Sequence, residues 1–190
     1  MDIGAVFLKI GQAPAKGVKR LLYALVLLVT ASVSVVKQKT LLDILFISVI
    51  NTYFVRIAFY DLQYRIIKNG DLLLLLFIKS ICLGMQWIFG TNIVFDMLEC
   101  LILAVVTMLL CLTVRSFGNG KDFFFGDGDF KYLIVLSFCM GMSGFALAML
   151  LTLIISVVFC LVFPEYRTEK SLPAAPILSF GAIIGILVVG

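Results

Sequence analysis

An all-α fold, a polytopic bundle of about six to seven transmembrane segments with a cytoplasmic N-terminus, is what this sequence of 190 residues predicts. Three observations predict it. Hydrophobic residues make up 63% of the chain and charged residues 14%, whereas ordinary soluble chains carry about 25% charged residues. Apolar stretches near bilayer length recur along the chain, and each is a spanning candidate by its length. Lysine and arginine gather in alternate loops, the asymmetry that sets orientation. No stretch is left over for a soluble domain, so residues 1–190 are expected to form a single integral membrane domain.

The elements follow in order. Residues 1–20 are a basic stretch, with Lys9, Lys16, Lys19 and Arg20 against one acid, Asp2. An apolar run from Leu21 to Val36 comes next and ends at Lys37, Gln38 and Lys39. At about 1.5 Å per residue it reaches only about 24 Å, short of a hydrocarbon core of about 30 Å. Arg20 and Lys37 can snorkel to the two surfaces and make up the difference. No small-residue cleavage site leading to a soluble domain follows it, so it is expected to be a retained helix and not a signal peptide. The second segment covers Leu41–Tyr60, the third Leu72–Phe89 and the fourth Ile93–Val114, with a tight turn at Gly90, Thr91 and Asn92. A polar, glycine-rich loop fills the stretch up to Gly128. The fifth segment, Phe130–Met142, is short for an upright crossing, and Gly141 to Gly144 closes it. The sixth runs from Phe145 to Phe163 and the last from Ala175 to Val189, after a charged loop with Glu165, Arg167, Glu169 and Lys170.

With the N-terminus inside, the cytoplasmic face receives the basic residues 1–20, the Arg65/Lys68 loop, the 115–128 loop and the Arg167/Lys170 loop. The other face receives only Lys37 and Lys39, close to Asp43. That imbalance predicts an N-in, C-out protein of the plasma (inner) membrane with its long loops cytoplasmic.

Missing residue types narrow the chemistry. The chain has no histidine, which removes Ser-His-Asp and Cys-His nucleophiles and histidine-ligated metals. Its five cysteines lie in apolar runs and form no CxxC pair, so neither a zinc ribbon nor a redox motif is expected. Carboxylates, lysines and tyrosines remain as acid–base groups. Neither a metal, a cofactor nor a nucleic acid is expected as a partner; the lipid bilayer is.

Two aspartates stand at helix ends on the cytoplasmic face. Asp61 ends the second segment in FYDLQYRIIKN, and Asp129 opens the fifth in FFFGDGDFK. Hydrolysis of a peptide bond by two carboxyl groups needs one ionised, to activate water, and one protonated, to donate to the carbonyl oxygen. A close pair arranges this unaided, because ionising the first disfavours ionising the second. An aspartate at a helix end can equally be a simple cap. Gly126 and Gly128 are expected to let the backbone approach a substrate strand and to adopt conformations barred to other residues. Among the other charges, Lys79 is expected to find an acid such as Glu99 across the hairpin. Arg56 can hold Asp61 or mark the membrane boundary.

These strings resemble the prepilin peptidase family, bacterial and archaeal membrane enzymes of the GxGD aspartyl protease type. Gly126, Gly128, Asp129 and Lys131 match its GxGDxK motif. Asp61, Arg65, Ile67 and Asn69 keep the spacing of its first motif, with Lys68 where proline is usual and Gln63 where arginine is frequent. Leu172, Pro173, Ala174, Ala175 and Pro176, followed by Gly181, resemble its proline pair before the last helix. The resemblance implies an aspartic endopeptidase that removes the short basic leader of type IV prepilin-like or preflagellin-like precursors at the cytoplasmic face. Asp61 and Asp129 would be its catalytic pair. Gly126, Gly128, Lys131, Asn69, Pro173 and Pro176 would lie near the substrate. The family's frequent cytoplasmic insert with paired CxxC motifs is not seen here, which implies a peptidase without methyltransferase activity. Two other readings stay open. One is a GxGD protease similar to signal peptide peptidase or presenilin, on the strength of Tyr60-Asp61. The other is a metal-dependent lipid transferase or ion carrier using Asp122, Asp127 and Asp129 as oxygen ligands.

Overall fold

The computed structural model describes residues 16–37, 40–88, 93–117, 126–162 and 174–189. Among these the protein is all-helical, with six helices: α1 (Lys16–Val36), α2 (Leu41–Tyr64), α3 (Asn69–Ile88), α4 (Ile93–Phe117), α5 (Asp127–Val162) and α6 (Ala174–Val189). The expected 90–92 turn, most of the 115–128 loop and Pro173 lie outside the described residues.

Local sequence explains where helices begin and end. Thr40 is the N-cap of α2; its side chain accepts the Asp43 N–H and donates to Asp43 Oδ2 at 2.6 Å. That satisfies one of the orphan donors of a first turn. The helix runs past Asp61 to Tyr64 and stops at Arg65, which adopts a left-handed conformation (φ 55°, ψ 33°) and donates its N–H to the Asp61 carbonyl at 2.8 Å. A left-handed C-cap of this kind usually falls to glycine, and an arginine there stores about 1 kcal/mol of strain. Lys68 opens α3, its carbonyl accepting the Asp71 and Leu72 N–H groups. A proline would also suit this position, because its carbonyl is the group in use.

The sequence predicts two segments over 130–163, and the structure has two. The stretch labelled α5, Asp127–Val162, is two helical arms separated at Gly141, where the backbone leaves helical geometry (φ 71°, ψ 174°). Among the described glycines only Gly141 has a positive φ. The break falls inside the Gly141–Gly144 stretch expected to close the fifth segment. The two arms of α5 are called the first (up to Gly141) and second (beyond it) below.

α5 and α6 form the centre, with α2, α3 and α4 packed around them and α1 laid on α2 and α6. The core contains Phe54, Ile57, Leu75, Tyr132, Leu136, Ala175, Leu178 and Ala182. Tyr132 is fully buried and its hydroxyl meets Ser179 Oγ at 2.6 Å, joining α5 to α6. Glycines make the closest contact between helices. A Cβ on Gly181 would meet the Ala148 carbonyl oxygen at 2.7 Å, and one on Gly185 the Gly144 oxygen at 2.6 Å. Small residues bring helix backbones together where lipid supplies no hydrophobic drive.

The exterior is apolar. Phe95, Leu98, Leu101, Ile102, Val105, Leu109 and Leu112 of α4 are all exposed. A continuous outward apolar face suits lipid, where every backbone polar group is closed within its own helix. Four helices, α2 to α5, are long and apolar enough to cross a membrane; α1 and α6 are apolar but shorter over their described residues. The protein is a membrane-embedded helical bundle.

Candidate active site

Asp61 sits one turn before the end of α2, and the chain turns there into a short connection, Arg65 to Lys68, before α3. Asp129 is the third residue of α5. Gly126 caps that helix, and the two residues bond reciprocally. The Gly126 N–H donates to Asp129 Oδ2 at 2.9 Å, and the Asp129 N–H donates to the Gly126 carbonyl at 3.0 Å. This is half of a capping box: the acid at the third position reaches back to the cap N–H, while the glycine carbonyl takes the place of a capping side chain. It fixes the direction of the Asp129 carboxylate.

Asp61 and Asp129 line one pocket of about 350 Å³ together with Arg65, Ile67, Asn69, Gly126, Gly128 and Lys131. Asp61 is only 6% exposed. The backbone N–H of Ala175, in the first turn of α6, donates toward its carboxylate. A helix N-terminus directed at an acid favours negative charge there. Three helix ends, those of α2, α5 and α6, thus converge on one face of the bundle. The Arg65 cation acts on both aspartates.

Residues from the two sequence motifs also touch one another. Lys131 Nζ donates to Asn69 Oδ1 at 3.5 Å. A Cβ on Gly128 would stand 3.3 Å from Ile67 Cβ, tighter than ordinary packing, so Gly128 lets α5 close on the connection after Asp61. Gly126 has no such neighbour; its nearest contact would be Asp129 Oδ2 at 3.7 Å. The expectation of unusual backbone conformation at these two glycines is therefore corrected. What matters is the close approach at Gly128 and the capping turn at Gly126. Lys68, at the position where proline is usual, places Nζ 4.2 Å from the Tyr60 ring centroid, a cation–π contact beside Asp61.

Not every expected residue enters the pocket. Pro176 lies in the first turn of α6, where its missing N–H costs nothing, and lines an apolar groove with Leu62, Ala58 and Phe59. Pro173 and Asp122 fall outside the described residues. Arg56 does not reach for Asp61; its Nη2 lies 3.4 Å from Asp71 Oδ1. Lys79 and Glu99 share a cavity but form no ion pair within 4.0 Å. Sequence reasoning missed the Asp71 partner, the Ala175 N–H and the reach of Arg65 to both acids. First-turn N–H groups of a helix are ready anion donors, so Ala175, at the start of the last expected segment, had a signal that went unused. Among the described residues no group of three or more Cys, Asp and Glu side chains is arranged to hold a metal.

The pattern of the type IV leader peptidase family fits residues 46–164, a range holding Asp61, Asn69 and the Gly126–Lys131 motif but not the Pro173–Pro176 stretch. No curated protein and no solved structure matches the chain.

Proposed function

The chain belongs to the type IV leader peptidase family, and from that premise we propose that it is an aspartic endopeptidase acting through Asp61 and Asp129. Its substrates are type IV prepilin-like or preflagellin-like precursors, cut after their basic leader at the cytoplasmic face of the plasma (inner) membrane. The chain is a single peptidase domain, N-in, without methyltransferase activity. The observation that carries this reading is that two carboxyl groups from separate helices line one small pocket.

The chemistry follows from that pairing. One carboxylate takes a proton from a water molecule as it attacks the scissile carbonyl carbon, and the other, protonated, donates to the carbonyl oxygen. The gem-diol collapses as the peptide C–N bond breaks, and the amine leaves with a proton from the dyad. Two acids in one pocket share a single proton because both cannot ionise cheaply at close range, so the pair titrates as one unit. Asp127, exposed and lining the same pocket, gives a basic leader an acidic partner over short range.

The test is incubation of the purified, detergent-solubilised chain with a synthetic precursor bearing a basic leader, with products identified by mass. A single cut between leader and mature segment, unaffected by a divalent-metal chelator, is expected. Absence of cutting, or its loss in chelator, would overturn the reading and favour a metal-dependent alternative.

A further inference from the structure

Toward the far ends of α2 and α3 from the aspartates, a cavity of about 400 Å³ is lined by Asp43, Lys79, Gln86, Asp96, Glu99 and Gly141 among others. Its polar groups take no part in the chemistry above. One of them grips the break in α5. Glu99 of α4 accepts the Met142 N–H through Oε1, and a Cβ on Gly141 would stand 3.2 Å from that same oxygen. The Gly141 backbone also faces the neighbouring Cys100 sulfur. Where a helix is interrupted, the N–H groups just beyond the break lose their intrahelical acceptors and need others. An amide left without an acceptor at such a break is unfavourable. A carboxylate from the next helix answers that need.

The first arm of α5 carries Asp129 at its opposite end. Twelve residues at about 1.5 Å each put the aspartate about 18 Å from Gly141. Over that length a tilt of about 10° at the break moves Asp129 by about 3 Å, and a misplacement of about 1 Å can already cost about a hundredfold in rate. We propose that Glu99 is a positioning residue: by accepting the Met142 N–H at the Gly141 break it fixes the angle between the arms of α5 and so the place of Asp129 opposite Asp61. This rests on the reading that Asp129 acts on substrate, but the fixing of the arm is testable without any substrate.

Hydrogen exchange of the whole chain in detergent, followed by mass spectrometry of peptides covering 126–140, reads the arm directly. Glu99→Ala is expected to speed exchange there at least tenfold, while Glu99→Gln, whose amide oxygen still accepts, stays within about threefold of wild type. Glu99→Asp, one methylene too short, falls between them and serves if the alanine variant does not fold. In the cleavage assay Glu99→Ala is expected to lower kcat about tenfold with KM within twofold, and Glu99→Gln to restore kcat. Unchanged exchange over 126–140 in both the alanine and aspartate variants would overturn the proposal, as would a glutamine variant that behaves like alanine. If exchange responds as expected but no variant, wild type included, cleaves a precursor, the peptidase reading fails and the positioning of the arm stands.

Discussion

Asp71 is a buried acid whose Oδ1 lies 3.4 Å from Arg56 Nη2 on the neighbouring helix. Arg56 is itself about half exposed and also stacks 5.7 Å from the Tyr53 ring. Arg56→Leu leaves the Asp71 charge without its partner and is expected to destabilise the protein by about 1–3 kcal/mol. Replacing Asp71 by leucine as well is expected to recover most of that loss, since an apolar pair of similar volume often substitutes for a buried ion pair. Thermal unfolding in detergent measures both, and a single variant as stable as wild type would refute the pairing. Neither residue pointed to the other in the sequence. Arg56 and Asp71 lie on different helices, and which acid a cation finds depends on how the helices rotate against each other. Asp61 and Asp129 were legible for the opposite reason. Each carries its own local signature, a basic stretch behind Asp61 and paired glycines before Asp129, and those signatures survive without knowledge of packing.

At the scale of the elements, the second arm of α5 and α6 are held by glycines in register. Gly181→Ala would put a methyl group 2.7 Å from the Ala148 carbonyl oxygen and 2.8 Å from Thr152 Oγ1. Backbone cannot swing aside as a side chain does, so the helices must separate. A cost of about 1–3 kcal/mol is expected, read as a lowered thermal midpoint. An unchanged midpoint would show that the helices are looser than the contact implies. Helix α6 also carries Ala175 to Asp61, so activity is expected to fall along with stability in this variant. The helices themselves were plain from apolar length, and most boundaries fell within a few residues of expectation. The break within 130–163 was legible too: glycine and serine at 141–144 marked it, and helical geometry is interrupted there at Gly141. What no local pattern encodes is the Glu99 carboxylate that accepts the Met142 N–H from across the bundle.

Across the whole molecule, the ends of α2, α5 and α6 gather the acids, the capping turn and the α6 N-terminus on one face, and the Asp43–Glu99 cavity lies away from it. Orientation is then testable with single cysteines introduced into a Cys160→Ala chain, because the native thiols at 82, 100, 111 and 139 are buried. A membrane-impermeant maleimide is expected to label Ile66→Cys only in inside-out vesicles and Lys37→Cys only in right-side-out ones. The reverse pattern would put the aspartates outside. The charge asymmetry of the loops made this expectation possible, whereas the angle at which the helices meet was not readable from any one of them. The most direct measurement is a double-mutant cycle on the aspartates, with leader cleavage as the readout and thermal unfolding as the control for folding. Asp61→Asn and Asp129→Asn are each expected to lower kcat by about 10²–10⁴, and the double variant to fall no more than about tenfold further, because groups that act as a unit lose their effect together. A folded single variant that keeps wild-type kcat, or losses that multiply in the double variant, would contradict a shared dyad.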